Sequence, residues 1–292
     1  MFKQMFTRKY RAAWAGLATL VVIGLLFTLA PVQAAASEFL GLFRVRKFAL
    51  VSINPANLQS LEKAGSQVDK LLSDNVTFVK KPQEPVAVAD AAEASKKAGI
   101  RVRLPSGLTS SKLMVQDELN MKLKVELDRF QAVLDMAGRD DIKLPKALDG
   151  ANIEFVVPPM VTAQFGNCAG EATCTVLVQL ASPSADMPKG VNLSQVGEAM
   201  LQLLGLSPAE AKHFAQSIDW STTLVIPMPT DAGSFRDVTV DGVPGVLIES
   251  RPQSRGPART HYTLLWEKRD VVYSLSGWDD VKKGIEIANS LQ

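Results

Sequence analysis

The sequence predicts an α+β protein, a predominantly antiparallel and curved β-sheet packed by several helices, preceded by an apolar amino-terminal helix. Three observations carry that prediction. Segments of five to seven residues rich in β-branched and aromatic side chains recur from 222 to 276, and Asp241-Gly242 and Arg269-Asp270 join consecutive ones as two-residue hairpin connections. Helical periodicity interrupts or closes these strands at 193–216 and 280–291. Residues 12–30 contain no charged side chain and only two polar ones, Thr19 and Thr28.

The apolar stretch organises the amino terminus. As a helix rising 1.5 Å per residue it would extend roughly 28 Å, close to the ~30 Å hydrocarbon thickness of a bilayer. Lys3, Arg8, Lys9 and Arg11 precede it with no acid among them, which keeps that end cytoplasmic and sends the rest of the chain outward. Two readings stand. The expected one is a retained single-pass anchor in the cell membrane, N-terminus cytoplasmic and C-terminal domain extracytoplasmic. The other is a signal peptide cut after Ala34, where Pro31 breaks the helix and Val32-Gln33-Ala34 offers small residues at alternate positions, releasing a periplasmic or secreted protein. The chain has 32 basic and 30 acidic side chains, and residues 1–34 hold four of the basic ones and none of the acidic, so the remainder carries a slight negative excess. Such a balance gives no reason to expect a nucleic-acid partner, which normally needs a concentrated basic surface.

In chain order, 43–53 reads as a strand. Asn54-Pro55 starts a helix carrying Leu58, Leu61, Val68 and Leu71, 79–85 reads as a linker, and 87–97 as a short alanine-rich helix. Strand character returns at Gly99. Lys122–Asp128 alternates strictly between polar and apolar, with Asp128 expected to cap a helix that carries Phe130, Val133, Leu134 and Ala137 and closes at Gly138. Strands follow at 151–157 and 174–180. Gly205 divides two helices, the first with Val196, Met200, Leu203 and Leu204 on its core side, the second opened by Ser207 and Glu210 as a capping box. Strands at 222–226, 235–240, 243–249, 261–267 and 271–276 then build an antiparallel sheet, and the last helix sets Val281, Ile285, Ala288 and Leu291 against it. The domains expected are 1–36, a basic tail and membrane or signal helix; 37–86, an adapter of strand, helix and linker; and 87–292, the extracytoplasmic α+β domain.

Chemistry is sparsely represented. The two cysteines, Cys168 and Cys174, have five residues between them in CAGEATC and suit a structural disulfide in an exported loop, with free thiols as the alternative. No third and fourth ligand lies nearby for a metal. His213 falls in a helix and His261 at the start of a strand, outside HExxH, CxxC and GxSxG patterns. Ser234, Ser250 and Ser254 lie near His261 in sequence without a nucleophile turn. Asp140-Asp141, Glu267 and Asp279-Asp280 read as helix-end and solvated strand residues. The glycines of LDGANI and VDGVPGVLIE belong to turns, since no phosphate-cradling motif surrounds them. No catalytic, cofactor or metal site is therefore assigned. Trp220 and Trp278, beside the ends of the sheet, are the candidates for an interface.

From 235 to 291 the order of elements, VTVDGVPGVLIES, then HYTLLWEKRDVVYSLSG, then WDDVKKGIEIANSL, resembles the strand–turn–strand–helix ending of DUF4367-type extracytoplasmic domains of bacterial envelope proteins. The resemblance implies a hairpin at Asp241-Gly242 and a structural role for Trp266, and it brings no catalytic residues. The function expected is a membrane-anchored extracytoplasmic sensor or protein-interaction module, not an enzyme and without a cofactor, whose partners are the cytoplasmic membrane and an envelope signalling protein. The alternatives are a cleaved periplasmic or secreted carrier of a lipid or other apolar ligand and, behind it, a hydrolase.

Overall fold

Antiparallel pairing builds all but one of the strand ladders of the described residues. The computed structural model describes residues 42–53, 70–71, 73–81, 83–136, 138–168, 174–230, 233–250, 260–278 and 280–292. In chain order the elements are strands β1 (Leu42–Arg44), β2 (Lys47–Ile53), β3 (Val76–Lys80) and β4 (Val86–Ala87); helix α1 (Ala91–Ala98); β5 (Ser110–Gln116) and β6 (Leu119–Lys124); α2 (Leu127–Met136) and a 3-10 turn at Lys146–Leu148; β7 (Asn152–Val157), β8 (Met160–Phe165), β9 (Thr175–Ala181) and β10 (Ser184–Asp186); α3 (Leu193–Leu203) and α4 (Pro208–Ser217); β11 (Thr223–Pro229), β12 (Gly233–Val240), β13 (Val243–Ser250), β14 (His261–Lys268) and β15 (Val271–Trp278); and α5 (Val281–Asn289).

The strands form three sheets: eight strands in the order β12-β13-β14-β15-β9-β8-β5-β4, five in the order β1-β10-β7-β6-β3, and the pair β11-β2. The neighbours β5, β8 and β9 of the first sheet continue almost directly into β6, β7 and β10 of the second. In one case only Pro158-Pro159 intervenes, a pair that cannot donate to either ladder. The two sheets thus share three bent ribbons, and the expected single curved sheet is resolved into two. The hairpins form where the turn chemistry predicts them. Asp241 and Gly242 have φ of 51° and 75°, Arg269 and Asp270 φ of 56° and 63°, the paired positive values that match the twist of flanking strands.

The eight-stranded sheet buries its main core under α1 and α5. Leu113, Val161, Leu177, Leu247, Leu264, Trp266 and Leu275 from the strands meet Ala94 and Ala98 of α1 and Ile287 and Ala288 of α5. Trp266, Leu264 and Leu275 have no exposed surface. Burying each large apolar side chain is worth about 1.5–3 kcal/mol, so this cluster is the main apolar contribution to stability. Gly277 and Gly284 let β15 and α5 close on the Tyr262 ring; a Cβ at either would fall within 2.5 Å of a ring atom or its hydroxyl. Helix α1 begins at Asp90, whose carboxylate accepts from Glu93 N at 2.8 Å while the Glu93 carboxylate accepts from Ala89 N at 2.9 Å. It ends at Gly99, in the left-handed region at φ 68°.

Smaller cores lie beneath the other sheets. Val125, Leu148, Ala151 and Ile153 pack with Phe130 of α2 and Val196 of α3. Val51 and Ile53 of β2 meet Leu201 of α3 and Ala211 and Ala215 of α4. The capping box of α4 is present: Glu210 N donates to the Ser207 hydroxyl at 3.3 Å and Ser207 N to the Glu210 carboxylate at 3.0 Å.

Several expectations need correction. Among the described residues no helix is long and apolar enough to cross a membrane, so the described structure gives the transmembrane-helix reading and the single-pass localisation drawn from it no span to rest on. The stretch 12–30 behind that expectation lies outside the described residues, as does most of the helix read at 55–72. The strand read at 43–53 is two strands in different sheets, and β2 pairs with β11 in parallel, from Lys47 opposite Thr223 to Ile53 opposite Pro229. Strand β8 was absent from the sequence reading. Asp128 lies within the first turn of α2 and does not cap it. Met200 is 56% exposed, and Gly197, Ala199 and Leu201 form the buried face of α3.

Candidate functional site

A cleft of about 520 Å³ opens between the segment after α1, the β14–β15 turn and the chain beyond α5. Its position follows from local structure. Gly99 ends α1 and releases an extended segment that belongs to none of the three sheets, and its backbone is paired by a side chain and by an antiparallel bridge of Pro105 with Leu291. Gln179, fully buried on β9, accepts from Arg103 N at 2.9 Å and donates to Arg103 O at 2.8 Å, replacing a strand with one side chain. One residue on, Leu104 N donates to Gln292 O at 3.3 Å and Gln292 N to Leu104 O at 3.2 Å. The Arg269-Asp270 turn forms the facing rim.

Ile100, Ala181, Val271 and Leu291 give the cleft apolar walls, and Tyr273 lines it beside them. Its polar lining is mostly cationic: Arg101, Arg103, Lys268 and Arg269, with Asp270 as the acid. The inner cations are tied to Asp241, whose side chain is 5% exposed at the β12–β13 turn. The Arg103 guanidinium grips both carboxylate oxygens, with 3.0 Å at one, and donates to Leu291 O at 2.6 Å. Lys268 Nζ donates to the same carboxylate at 2.8 Å and to Asp241 O at 2.5 Å. Asn289 Oδ1 accepts from Asp241 N at 2.6 Å. Asp241 therefore joins the 99–104 segment and two hairpins through its carboxylate, and the end of α5 through its backbone N–H.

The electrostatics agree with that geometry. Burial pushes the Asp241 carboxyl up, but the hydrogen bonds and charges of Arg103 and Lys268 outweigh it and hold the group below the usual aspartate range. The Asp241 hydrogen bond raises Arg103 further above its already high value against the opposing effect of burial. Arg103 also lies 5.8 Å over the Tyr273 ring, which stacks on Trp266 at 5.1 Å and an interplanar angle of 7°. Burial raises Tyr273. At the rim, Asp270 pairs with Arg46 at 3.0 Å, whereas among the described residues no ion pair engages Arg101 or Arg269.

The residues singled out in the sequence lie elsewhere. Cys168 and Cys174 are bonded, their Cα atoms 4.5 Å apart, in the β8–β9 connection. Trp220 packs its indole ring against Gly197 and donates Nε1–H to Ala215 O at 2.8 Å, holding α3 to α4. Trp278 ends β15 with its ring 4.9 Å from His261 in an edge-on contact. The structure does not bring the two tryptophans together. His261 stands opposite Ser250 in the β13–β14 ladder, and Ser234 opposite Glu249, but no hydrogen bond joins a serine to the imidazole among the described residues; burial lowers the His261 pKa. Ser254 and Asp279 lie outside the described residues. His213 is exposed on α4. Asp141 pairs with Arg139 at 3.0 Å, Asp280 caps α5 through Lys283 N at 3.1 Å, and Glu267 accepts from Asp270 N at 2.6 Å, at three separate places. Among the described residues no group of three or more His, Cys, Asp or Glu side chains could hold a metal ion.

The sequence reading missed the cleft. Its trace was the alternation of GIRVRL, which puts Arg101 and Arg103 on one side of an extended chain, together with Lys268-Arg269 at a predicted turn. No family model and no curated protein sequence matches this chain.

Proposed function

We propose that the chain is an exported, non-catalytic binding domain that carries a ligand with an apolar body in the cleft beside Arg103. The observation that carries this reading is the cleft's composition and size: apolar walls from Ile100, Val271 and Leu291, and a volume of about 520 Å³, within the usual range of ligand pockets. The Cys168–Cys174 bond supports export, because disulfides persist in oxidising compartments. The rigidity of the lining supports a preformed pocket: Arg103 is held at its backbone by Gln179 and at its side chain by Asp241. The reading is tested by native mass spectrometry of protein produced in an oxidising compartment and incubated with a total lipid extract. One adduct of a few hundred daltons per chain is expected. A bare mass, under conditions in which a control carrier keeps its ligand, would refute it.

A further inference from the structure

We infer that the ligand of this cleft is an amphipathic anion, with an oxyanion head held by Arg101 and Arg269 and an apolar body against Ile100, Val271 and Leu291. The inference rests on the binding-domain reading above and assigns the chemistry of the ligand. It starts from the charges at the cleft. Arg103 and Lys268 are both answered by the buried Asp241, so they form a fixed wall and have little freedom to rearrange around a guest. Asp270, the acid of the lining, is drawn to Arg46 at 3.0 Å. Arg101 and Arg269 are exposed at the cleft, and no ion pair among the described residues engages them.

Two unanswered guanidinium groups beside an already cationic wall disfavour a cation and leave a neutral ligand with no partner for them. Each guanidinium presents a planar fork of donors that matches carboxylate and phosphate oxygens. The opposing walls are hydrocarbon, so a bare inorganic anion would leave Ile100, Val271 and Leu291 in water. An apolar carboxylate and an apolar phosphate share the required chemistry, and the test separates them.

The experiment is isothermal titration of the full chain with decanoate, decyl phosphate, decyl maltoside, decyltrimethylammonium and inorganic phosphate, each below its micelle concentration. Decanoate or decyl phosphate should bind one per chain, at least tenfold tighter than decyl maltoside and than inorganic phosphate, and the stronger of the two identifies the head. Decyltrimethylammonium should not bind. The double variant Arg101→Gln/Arg269→Gln should lose at least tenfold in anion affinity at an unchanged urea midpoint. Lys112→Gln/Lys212→Gln, which removes two exposed charges that do not line the cleft, should bind as the parent does. Decyl maltoside binding as tightly as the anions would overturn the inference and leave the carrier reading standing, as would unchanged anion binding in Arg101→Gln/Arg269→Gln. Inorganic phosphate binding as tightly as decyl phosphate would overturn the apolar body. Failure of every amphiphile to bind would overturn both readings.

Discussion

Replacing Asp241 by Asn should destabilise the protein by about 2–4 kcal/mol, chiefly through the two cations it leaves behind. The substitution keeps the size of the side chain and tolerates the positive φ of 51° that this turn position requires, so the backbone contributes little to the loss. What changes is the charge and one acceptor. Asp241 accepts from Arg103 on both oxygens and from Lys268 on one, and in Asn one oxygen becomes a donor facing the guanidinium. Removing one partner of a buried ion pair costs about 3–5 kcal/mol. Here the Arg103 and Lys268 side chains keep 18% and 26% exposure, so water offsets part of that cost. With a urea m-value of about 3 kcal/mol/M, a loss of 3 kcal/mol lowers the unfolding midpoint by about 1 M.

The same variant has a pH signature. The folded-state pKa of Asp241 is depressed, so its contribution is fully present above the unfolded aspartate value of about 3.9 and is lost as pH falls through the lower folded value. The gap between parent and Asp241→Asn should therefore stay constant from pH 7 to about pH 4 and narrow below it. Midpoints that coincide within about 0.2 M at pH 7, or a gap that already closes between pH 6 and 5, would refute the assignment of Asp241 as the charge that holds this corner together.

Gln179→Leu should cost about 2–3 kcal/mol in urea unfolding, because it leaves the partly buried backbone N–H and C=O of Arg103 without their partner. Gly197→Ala should cost about 1–3 kcal/mol by overpacking, since the new Cβ would meet the Trp220 ring at 2.2 Å, and Trp220→Leu in the same background should recover part of the loss. Cys168→Ser/Cys174→Ser should lower stability by about 2 kcal/mol, as expected for opening a loop with a sequence separation of 6, while leaving anion binding at the cleft unchanged. A larger loss together with lost binding would show that the β8–β9 connection supports the cleft.

Local chemistry was enough to place those parts of this protein whose partners are close in sequence. Asp241-Gly242, tolerant of positive φ, and Arg269-Asp270 turned as two-residue connections between alternating strands, Ser207 and Glu210 capped α4 through bonds three residues apart, and Cys168 and Cys174 bonded across a short loop. Helix α5 set Val281, Ile285, Ala288 and the following Leu291 against the main core, as its period required, and buried Ile287, which the period did not mark, beside them. Only the tertiary structure decided the rest, because the interactions involved join residues far apart in the chain. The parallel pairing of β2 with β11 spans more than half the sequence, and no turn residue encodes it. Met200 points outward because α3 packs on two clusters at once, Val196 against the one around Ile153 and Leu201 within the one around Val51, and these tertiary contacts set how the helix is turned. The cleft depends on Arg103 meeting a carboxylate 138 residues away and a carbonyl 188 residues away. Periodicity records which face of an element is apolar, but the charge on another element that answers a buried arginine is set by how the sheets and helices close on each other.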